Sequence, residues 1–111
     1  MELAVEKLRE WLSEQAGTTI VIKKQELEDL DTVHFTVESV DYRSAEDTID
    51  DYLDDALILR GSGSTVNGDG EPVPLPQPSY EIAVQGLKIN SAAEDRAEIQ
   101  TDRGKYEISL T

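Results

Sequence analysis

The sequence predicts an α+β fold, with an N-terminal amphipathic helix packed on a strongly curved antiparallel sheet of five or six strands and partial barrel closure as an alternative. Three observations lead to this prediction. The first segment places apolar residues at helical spacing. Most later segments alternate β-branched or aromatic residues with polar ones between short turns, which favours antiparallel neighbours. Two of these segments change the phase of the alternation, which indicates β-bulges and therefore curvature.

Residues 2–16 are predicted to form the helix, within a chain whose 111 residues correspond to a single domain, 1–111. Gly17 follows the last periodic residue, where a left-handed glycine commonly ends a helix. Trp11 lies on the apolar stripe and is predicted to belong to the core. The stripe consists of Met1, Ala4, Val5, Leu8, Trp11, Leu12 and Ala16.

Two strands are predicted next, at residues 18–24 and 32–42. The first is rich in β-branched residues and has no breaker, and the second alternates apolar and polar residues. Because the alternation changes phase within the second strand, we predict a bulge near residues 38–39. Residues 25–31 (QELEDLD) are expected to form a polar connection, with one helical turn at most.

Residues 44–55 give an ambiguous pattern. Apolar residues repeat at helical spacing, whereas aspartates four residues apart repel one another and oppose a helix. We predict a short helix here, followed by a buried strand at residues 56–60.

Residues 61–79 are predicted to form a Gly/Pro-rich loop. Its first residues, GSGS, depart from a phosphate-binding loop because position 66 is Val and no Lys follows. A turn or strand end with close backbone approach is favoured instead. All four prolines lie at positions 72, 74, 76 and 78. Their spacing does not fit an SH3-type ligand, and we predict an extended edge segment that straps the sheet.

The last segments are predicted as strands. Residues 80–89 form one strand with a second bulge at Gly86, where the alternation again shifts. The chain continues into a hairpin of strands at residues 97–101 and 105–110. Residues 102–104 fit a three-residue loop whose glycine is left-handed.

No segment points to export, membrane insertion or a cofactor. The chain contains no Cys, which removes disulfides, thiolate nucleophiles and Cys-type zinc sites and fits a cytoplasmic protein. The N-terminal residues lack a secretory apolar region, and no apolar run approaches the roughly 20 residues of a membrane helix. Nucleotide-binding and hydrolase motifs are missing from the sequence, so no cofactor is expected.

Acidic residues dominate the charge of the chain. The formal net charge is −14, and residues 25–71, with fourteen acidic and two basic residues, account for −12 of it. A field of this sign repels nucleic-acid phosphates and anionic lipid headgroups and attracts basic protein surfaces. We therefore expect a basic protein as partner and neither direct nucleic-acid binding nor membrane binding. The alternative interpretation is a solvated acidic face that serves solubility alone.

The densest group of carboxylates is the candidate partner-binding site. Hard cations also prefer carboxylate oxygens, but the EF-hand spacing and its glycine are missing, so no metal site is predicted. His34 is the only histidine, and it is predicted to be a surface or structural residue rather than a general base. The candidate site consists of Asp47, Asp50, Asp51, Asp54 and Asp55.

These features favour a non-catalytic interaction module with an anionic face for a basic protein partner. Two hypotheses from other classes stay open. One is a small enzyme that uses carboxylates or a divalent metal. The other is a structural homo-oligomer subunit, such as a homodimer, joined through an open strand edge or an apolar sheet face.

Overall fold

The computed structural model of the chain describes residues 3–43, 55–66 and 70–110. These residues contain one helix and eight strands. Their bounds are α1 Leu3–Ser13, β1 Thr19–Glu26, β2 Asp29–Arg43, β3 Ala56–Val66, β4 Pro72–Pro74, β5 Ser79–Ala83, β6 Lys88–Ala92, β7 Arg96–Gln100 and β8 Lys105–Leu110.

The strands form one antiparallel sheet in the order β4-β3-β2-β1-β8-β7-β6, and β5 pairs with β3 beside β4. The α+β class with a single N-terminal helix on an antiparallel sheet is therefore confirmed. The sheet has eight strands rather than five or six, because the predicted loop after residue 60 and the predicted strand 80–89 each contribute additional strands. No ladder between described residues joins the β4 and β6 edges, so the sheet is open and the alternative of barrel closure is wrong.

α1 packs across several strands of the sheet. The helix contacts both β2 and β6, which are four strand positions apart. Its 11 residues make it about 16 Å long, which is enough to reach across most of the roughly 19 Å between these strands.

The core lies between α1 and one face of the sheet. Val5, Leu8 and Leu12 lie on the predicted helical stripe and are buried. Trp11 is half-buried, and its Nε1 donates a hydrogen bond to the Ala93 carbonyl at 2.8 Å, which ties the helix to the β6–β7 turn. The sheet contributes its alternate residues, chiefly Ile20, Ile22, Val33, Phe35, Val37, Leu57, Leu59, Ile82, Ile99, Tyr106 and Ile108.

Two local predictions are confirmed at the junction of α1 and the sheet. Gly17, with φ of 86°, follows the helix in the left-handed conformation. Its N–H donates to the Val37 carbonyl at 2.7 Å. The β2–β3 register shifts between Val37 and Ser39, so a bulge lies where the alternation of the sequence changes phase.

Residues 61–66 extend β3, and the turn or strand end predicted there is wrong. A Cβ at Gly61 would collide with the Thr36 carbonyl oxygen, and one at Gly63 would lie 2.6 Å from the Phe35 ring. The predicted close backbone approach is thus confirmed, because glycine lets β3 pair closely with β2 beside the bulge. Pro72 and Pro74 lie in edge strand β4, Pro76 and Pro78 follow it, and Leu75 packs against the core, as the strap prediction requires.

The predicted strand at residues 80–89 divides into β5 and β6, which lie on opposite sides of the sheet order. Gly86, with φ of 69°, lies in the turn between them, so the bulge predicted there is wrong. The change of phase marks a change of strand. A register shift occurs instead between Ile89 and Ser91, on the β6–β7 ladder.

The C-terminal hairpin is confirmed, with strands β7 and β8 close to the predicted bounds. Its glycine has another role than predicted, because Gly104 is not left-handed. Thr101 and Gly104 exchange backbone hydrogen bonds of 2.8 and 3.3 Å around a two-residue turn. A Cβ at Gly104 would collide with the Gln25 carbonyl oxygen, so close approach to β1 accounts for the glycine.

The helix predicted at residues 44–55 lies outside the described residues, except for its last position. Within the described ranges, no helix has both the length and the apolar character needed to cross a membrane.

Candidate functional site

Only one of the five aspartates predicted to bind a partner is described. Asp55 is half-buried and precedes β3, and its carbonyl accepts a hydrogen bond from the Val84 N–H at 3.0 Å. It lines a cavity of about 350 Å³ together with Tyr42 and Asp102. The other four lie outside the described residues, and their role stays a prediction: Asp47, Asp50, Asp51 and Asp54.

His34 lies on the face of β2 that points away from the core, opposite Val21 on β1 and Ser64 on β3. Its side chain is exposed, which confirms the predicted surface position. Nearby hydroxyls pair with each other, since the Thr19 and Thr36 oxygens are 2.7 Å apart. No described acid hydrogen-bonds the imidazole, so the arrangement does not orient it as a general base.

The segment QELEDLD forms the end of a β-hairpin, so the loose connection with a helical turn predicted at residues 25–31 is wrong. The β1–β2 ladder continues to the Glu26–Asp29 pair and leaves a two-residue turn. β8 pairs with β1 only as far as Gln25, and the ladder between described residues of β2 and β3 begins at Val33. Residues 26–31, hereafter the hairpin tip, therefore extend beyond the ladders to neighbouring described strands, although Leu27 and Leu30 still line cavities with residues of β7 and β8.

Two leucines are exposed on the hairpin tip. The exposed fraction of Leu27 is 92%, and that of Leu30 is 66%. Single exposed leucines are ordinary, but these two lie within six residues that also carry four carboxylates. Apolar side chains with charged groups around them are the composition of an interface core and its rim. The four carboxylates belong to Glu26, Glu28, Asp29 and Asp31.

Leu27 adopts the left-handed backbone conformation, with φ of 56°. It occupies the first position of the two-residue turn, where glycine or asparagine normally relieves the contact between Cβ and the backbone. For an L-residue with a side chain this conformation costs about 1–2 kcal/mol. Because the side chain is almost fully exposed, burial does not offset that cost. Stability of the fold therefore gives no reason for leucine at this position.

The hairpin tip keeps most of its negative charge. Lys24 Nζ lies 3.3 Å from the Glu26 carboxylate, whereas Glu28, Asp29 and Asp31 form no ion pair with a described residue. The tip thus carries three carboxylates outside close ion pairs, of which Asp31 lies opposite Lys24 in the β1–β2 ladder. Elsewhere on the sheet, ion pairs join Arg60 to Asp41 at 2.5 Å, Arg43 to Glu81 at 2.6 Å and Arg96 to Glu98 at 2.6 Å.

Sequence reasoning missed the hairpin tip because its turn residues, Leu27 and Glu28, are not the residues that usually mark a tight turn. The available signal was the pair of strongly β-type segments on either side, which are close enough in sequence to pair directly. Across residues 3–43, 55–66 and 70–110, no three His, Cys, Asp or Glu side chains are grouped to hold a metal ion.

Comparison with known proteins shows one related family. The family model described as YmzB-like protein matches residues 1–111. The chain is 33% identical, over 110 residues, to a Bacillus subtilis (strain 168) protein named Uncharacterized protein YmzB. The alignment covers 94% of this chain and 92% of the relative. No solved structure matches the chain.

Proposed function

The chain belongs to the YmzB-like protein family, and from the geometry of its hairpin tip we propose that it is a non-catalytic interaction module whose acidic surface binds a basic protein partner. The name of the Bacillus relative states no activity. The proposal is therefore supported by the site itself.

One observation supports the proposal. Leu27 is exposed and held in a strained backbone conformation, and the carboxylates around it include three that form no close ion pair. Interfaces take most of their affinity from a few desolvated side chains at the centre, surrounded by polar groups that exclude water. Leu27 and Leu30 supply apolar groups of this kind. Glu28, Asp29 and Asp31 supply the charged surroundings.

Charge selects a basic protein among the conceivable partners. Complementary charges steer the encounter and suppress wrong partners, while like charges repel. A second copy of the chain would bring another net charge of −14, so self-association through the tip is opposed. A partner that presents Lys and Arg around an apolar depression fits both the charge and the leucines.

The test is capture of a partner from native extract with the full chain, at low and then at high salt. We expect a basic protein to bind at low salt and to dissociate as salt screens the charges. The variant Glu28→Lys/Asp29→Lys should lose this partner. Leu27→Gly should weaken capture at every salt concentration, because it removes an apolar contact rather than a charge.

The matched control is Glu94→Lys/Asp95→Lys, which makes the same charge change in another turn. This turn lies at the other end of β1 from the hairpin tip. The Asp95 carbonyl accepts a hydrogen bond from the Leu110 N–H, and Leu110 pairs with Ile20 at the start of β1, whereas the hairpin tip follows the end of β1. We expect this control to retain the partner. Equal loss in both charge variants would mean that net charge alone matters, and the absence of any salt-sensitive basic protein would contradict the proposal.

A further inference from the structure

A second concave site lies beside the base of the hairpin. A cavity of about 470 Å³, hereafter the strap cavity, opens between β1, β2, β3, β5 and the proline-rich strap. Its volume is within the roughly 300–1,000 Å³ of small-molecule sites, which combine an apolar wall with a few orienting polar groups. The side chains that matter to the argument are Val33, Leu75, Pro76, Lys24, Asp31 and Tyr80.

The rim of the strap cavity is preformed. The Leu75 N–H donates to the Gly63 carbonyl at 2.9 Å, and the Gly61 N–H donates to the Pro78 carbonyl at 3.0 Å. Between these two anchors the ring of Pro76 fixes φ of the chain. A ligand would therefore not have to order this wall when it binds, which removes one of the usual costs of binding.

The charges around the strap cavity leave one carboxylate for a ligand. The Lys24 ammonium is 3.3 Å from the Glu26 carboxylate. Glu81 accepts a hydrogen bond from Arg43 at 2.6 Å. Asp31 also lines the cavity but forms no ion pair with a described residue. Asp31 lies opposite Lys24 in the β1–β2 ladder. The lining nevertheless holds two carboxylates, of Asp31 and Glu81, against the single ammonium group of Lys24, and this excess of negative charge favours a cation.

Tyr80 adds an aromatic face and a hydroxyl. Its ring is half-buried and tilted against Phe35, with the ring centroids 6.4 Å apart. Burial, and then Tyr106 and Asp31, raise the pKa of the Tyr80 hydroxyl, so it is protonated and neutral at ordinary pH. The hydroxyl hydrogen-bonds to no described residue. Its oxygen can accept a hydrogen bond from a ligand, and the ring attracts cations.

We infer that the strap cavity binds an organic cation, an ammonium or guanidinium group on a short apolar stem, through the Asp31 carboxylate and the Tyr80 side chain. The stem packs against Val33 and Leu75. Two sources offer this chemistry, a free alkylamine or a Lys or Arg side chain of another protein. The cavity shares Asp31 with the hairpin tip but contains neither of the exposed leucines, so this inference goes beyond the proposed function.

Calorimetric titration of the full chain with small probes tests the inference. The cationic probes are n-butylammonium, n-butylguanidinium and N-acetyl-arginine amide, and the anionic control with a comparable stem is n-butyrate. We expect heat of binding from the cations and none from n-butyrate. Binding of N-acetyl-arginine amide tighter than that of n-butylguanidinium, which carries the same head group, would identify a protein side chain as the source, and the reverse order would identify a free organic cation. Absence of binding heat from all three cations at millimolar concentration, or equal binding of n-butyrate, would overturn the inference.

Matched variants locate the binding. Asp31→Asn should weaken cation binding by about tenfold, whereas Asp29→Asn, the same change on the same hairpin but outside the cavity lining, should change it less than about twofold. Equal losses in the two variants would contradict binding at the cavity. Leu27→Gly should leave probe binding intact even where it abolishes capture of a protein, so the two proposals can fail separately. Melting curves of each variant check that the fold is retained.

Discussion

Replacing Leu27 by glycine should make the protein more stable, although it deletes a large apolar side chain. The reason lies in the backbone, because φ at this residue is 56° and an L-residue with a Cβ is strained there. Glycine adopts this conformation without strain. Removal of a leucine ordinarily destabilises a protein through lost burial, so the sign of the effect separates the two contributions.

The change in the free energy of unfolding caused by Leu27→Gly is the sum of three contributions. Relief of the left-handed conformation stabilises the fold by about 1–2 kcal/mol. Glycine also gives the unfolded chain more freedom, which opposes folding by about 0.4–1 kcal/mol. With 92% of Leu27 exposed, the burial lost is a small part of the roughly 1.5–3 kcal/mol of a fully buried leucine, about 0.2 kcal/mol. The net expectation is a gain of about 0.5 kcal/mol, which corresponds to a melting temperature about 2–4 °C higher.

Thermal unfolding monitored by circular dichroism, with urea titration alongside, measures this gain. Leu27→Ala is the matched control, because it removes most of the side chain but keeps the Cβ and the strain. Its stability should stay within about 0.5 kcal/mol of the original chain, the usual range for surface substitutions. Leu27→Asn should fall between the two, since asparagine tolerates the left-handed region. A melting temperature of Leu27→Gly at or below that of Leu27→Ala would refute the reasoning.

Three further predictions concern the fold as a whole. Gly61→Ala should lower the free energy of unfolding by more than about 3 kcal/mol, because the new Cβ would collide with the Thr36 carbonyl. Gly17→Ala should lower it by about 1 kcal/mol, because no atom lies within 4 Å of the new Cβ. Equal losses in urea titrations would contradict the close approach of β3 to β2. Because the net charge is −14, moderate salt should raise the melting temperature, and a fall would contradict repulsion between carboxylates. Burial raises the pKa of Tyr80 above its unfolded value, so the stability that this tyrosine contributes should hold below about pH 10 and decline as pH rises above it. The decline should be gentler in Tyr80→Phe. Identical slopes of stability against pH in the two proteins would exclude this tyrosine as the cause.

Features governed by local chemistry could be predicted from the sequence. The helix follows from its apolar stripe, and its end follows from Gly17, because both depend on residues within one or two turns. The bulge between Val37 and Ser39 is equally local, since alternation with period two cannot change face without an extra residue.

The features that were missed depend on contacts between distant residues. Gly61 and Gly63 suggest a loop by propensity, yet they continue a strand. Glycine is needed there because the neighbouring strand lies too close for a Cβ. Gly104 suggests a left-handed turn, yet its position is explained by the carbonyl of Gln25. Gly86 looks like a bulge within one strand, because nothing in a single sequence shows that the chain has moved to the other edge of the sheet.

The candidate site was missed for a related reason, and that reason bears on its function. Solubility alone would explain the carboxylates of the hairpin tip, but it does not explain Leu27, because an exposed leucine reduces solubility and a left-handed leucine reduces stability. Glycine at the same position would improve both properties. A residue that opposes the local preference of its turn, and that the rest of the fold does not require, is the kind of departure expected at sites of interaction. In the proposed function, the acidic residues around it form the charged surroundings of a contact. The expected rise in stability of Leu27→Gly, together with its loss of partner capture, would support binding rather than folding as the reason for the leucine.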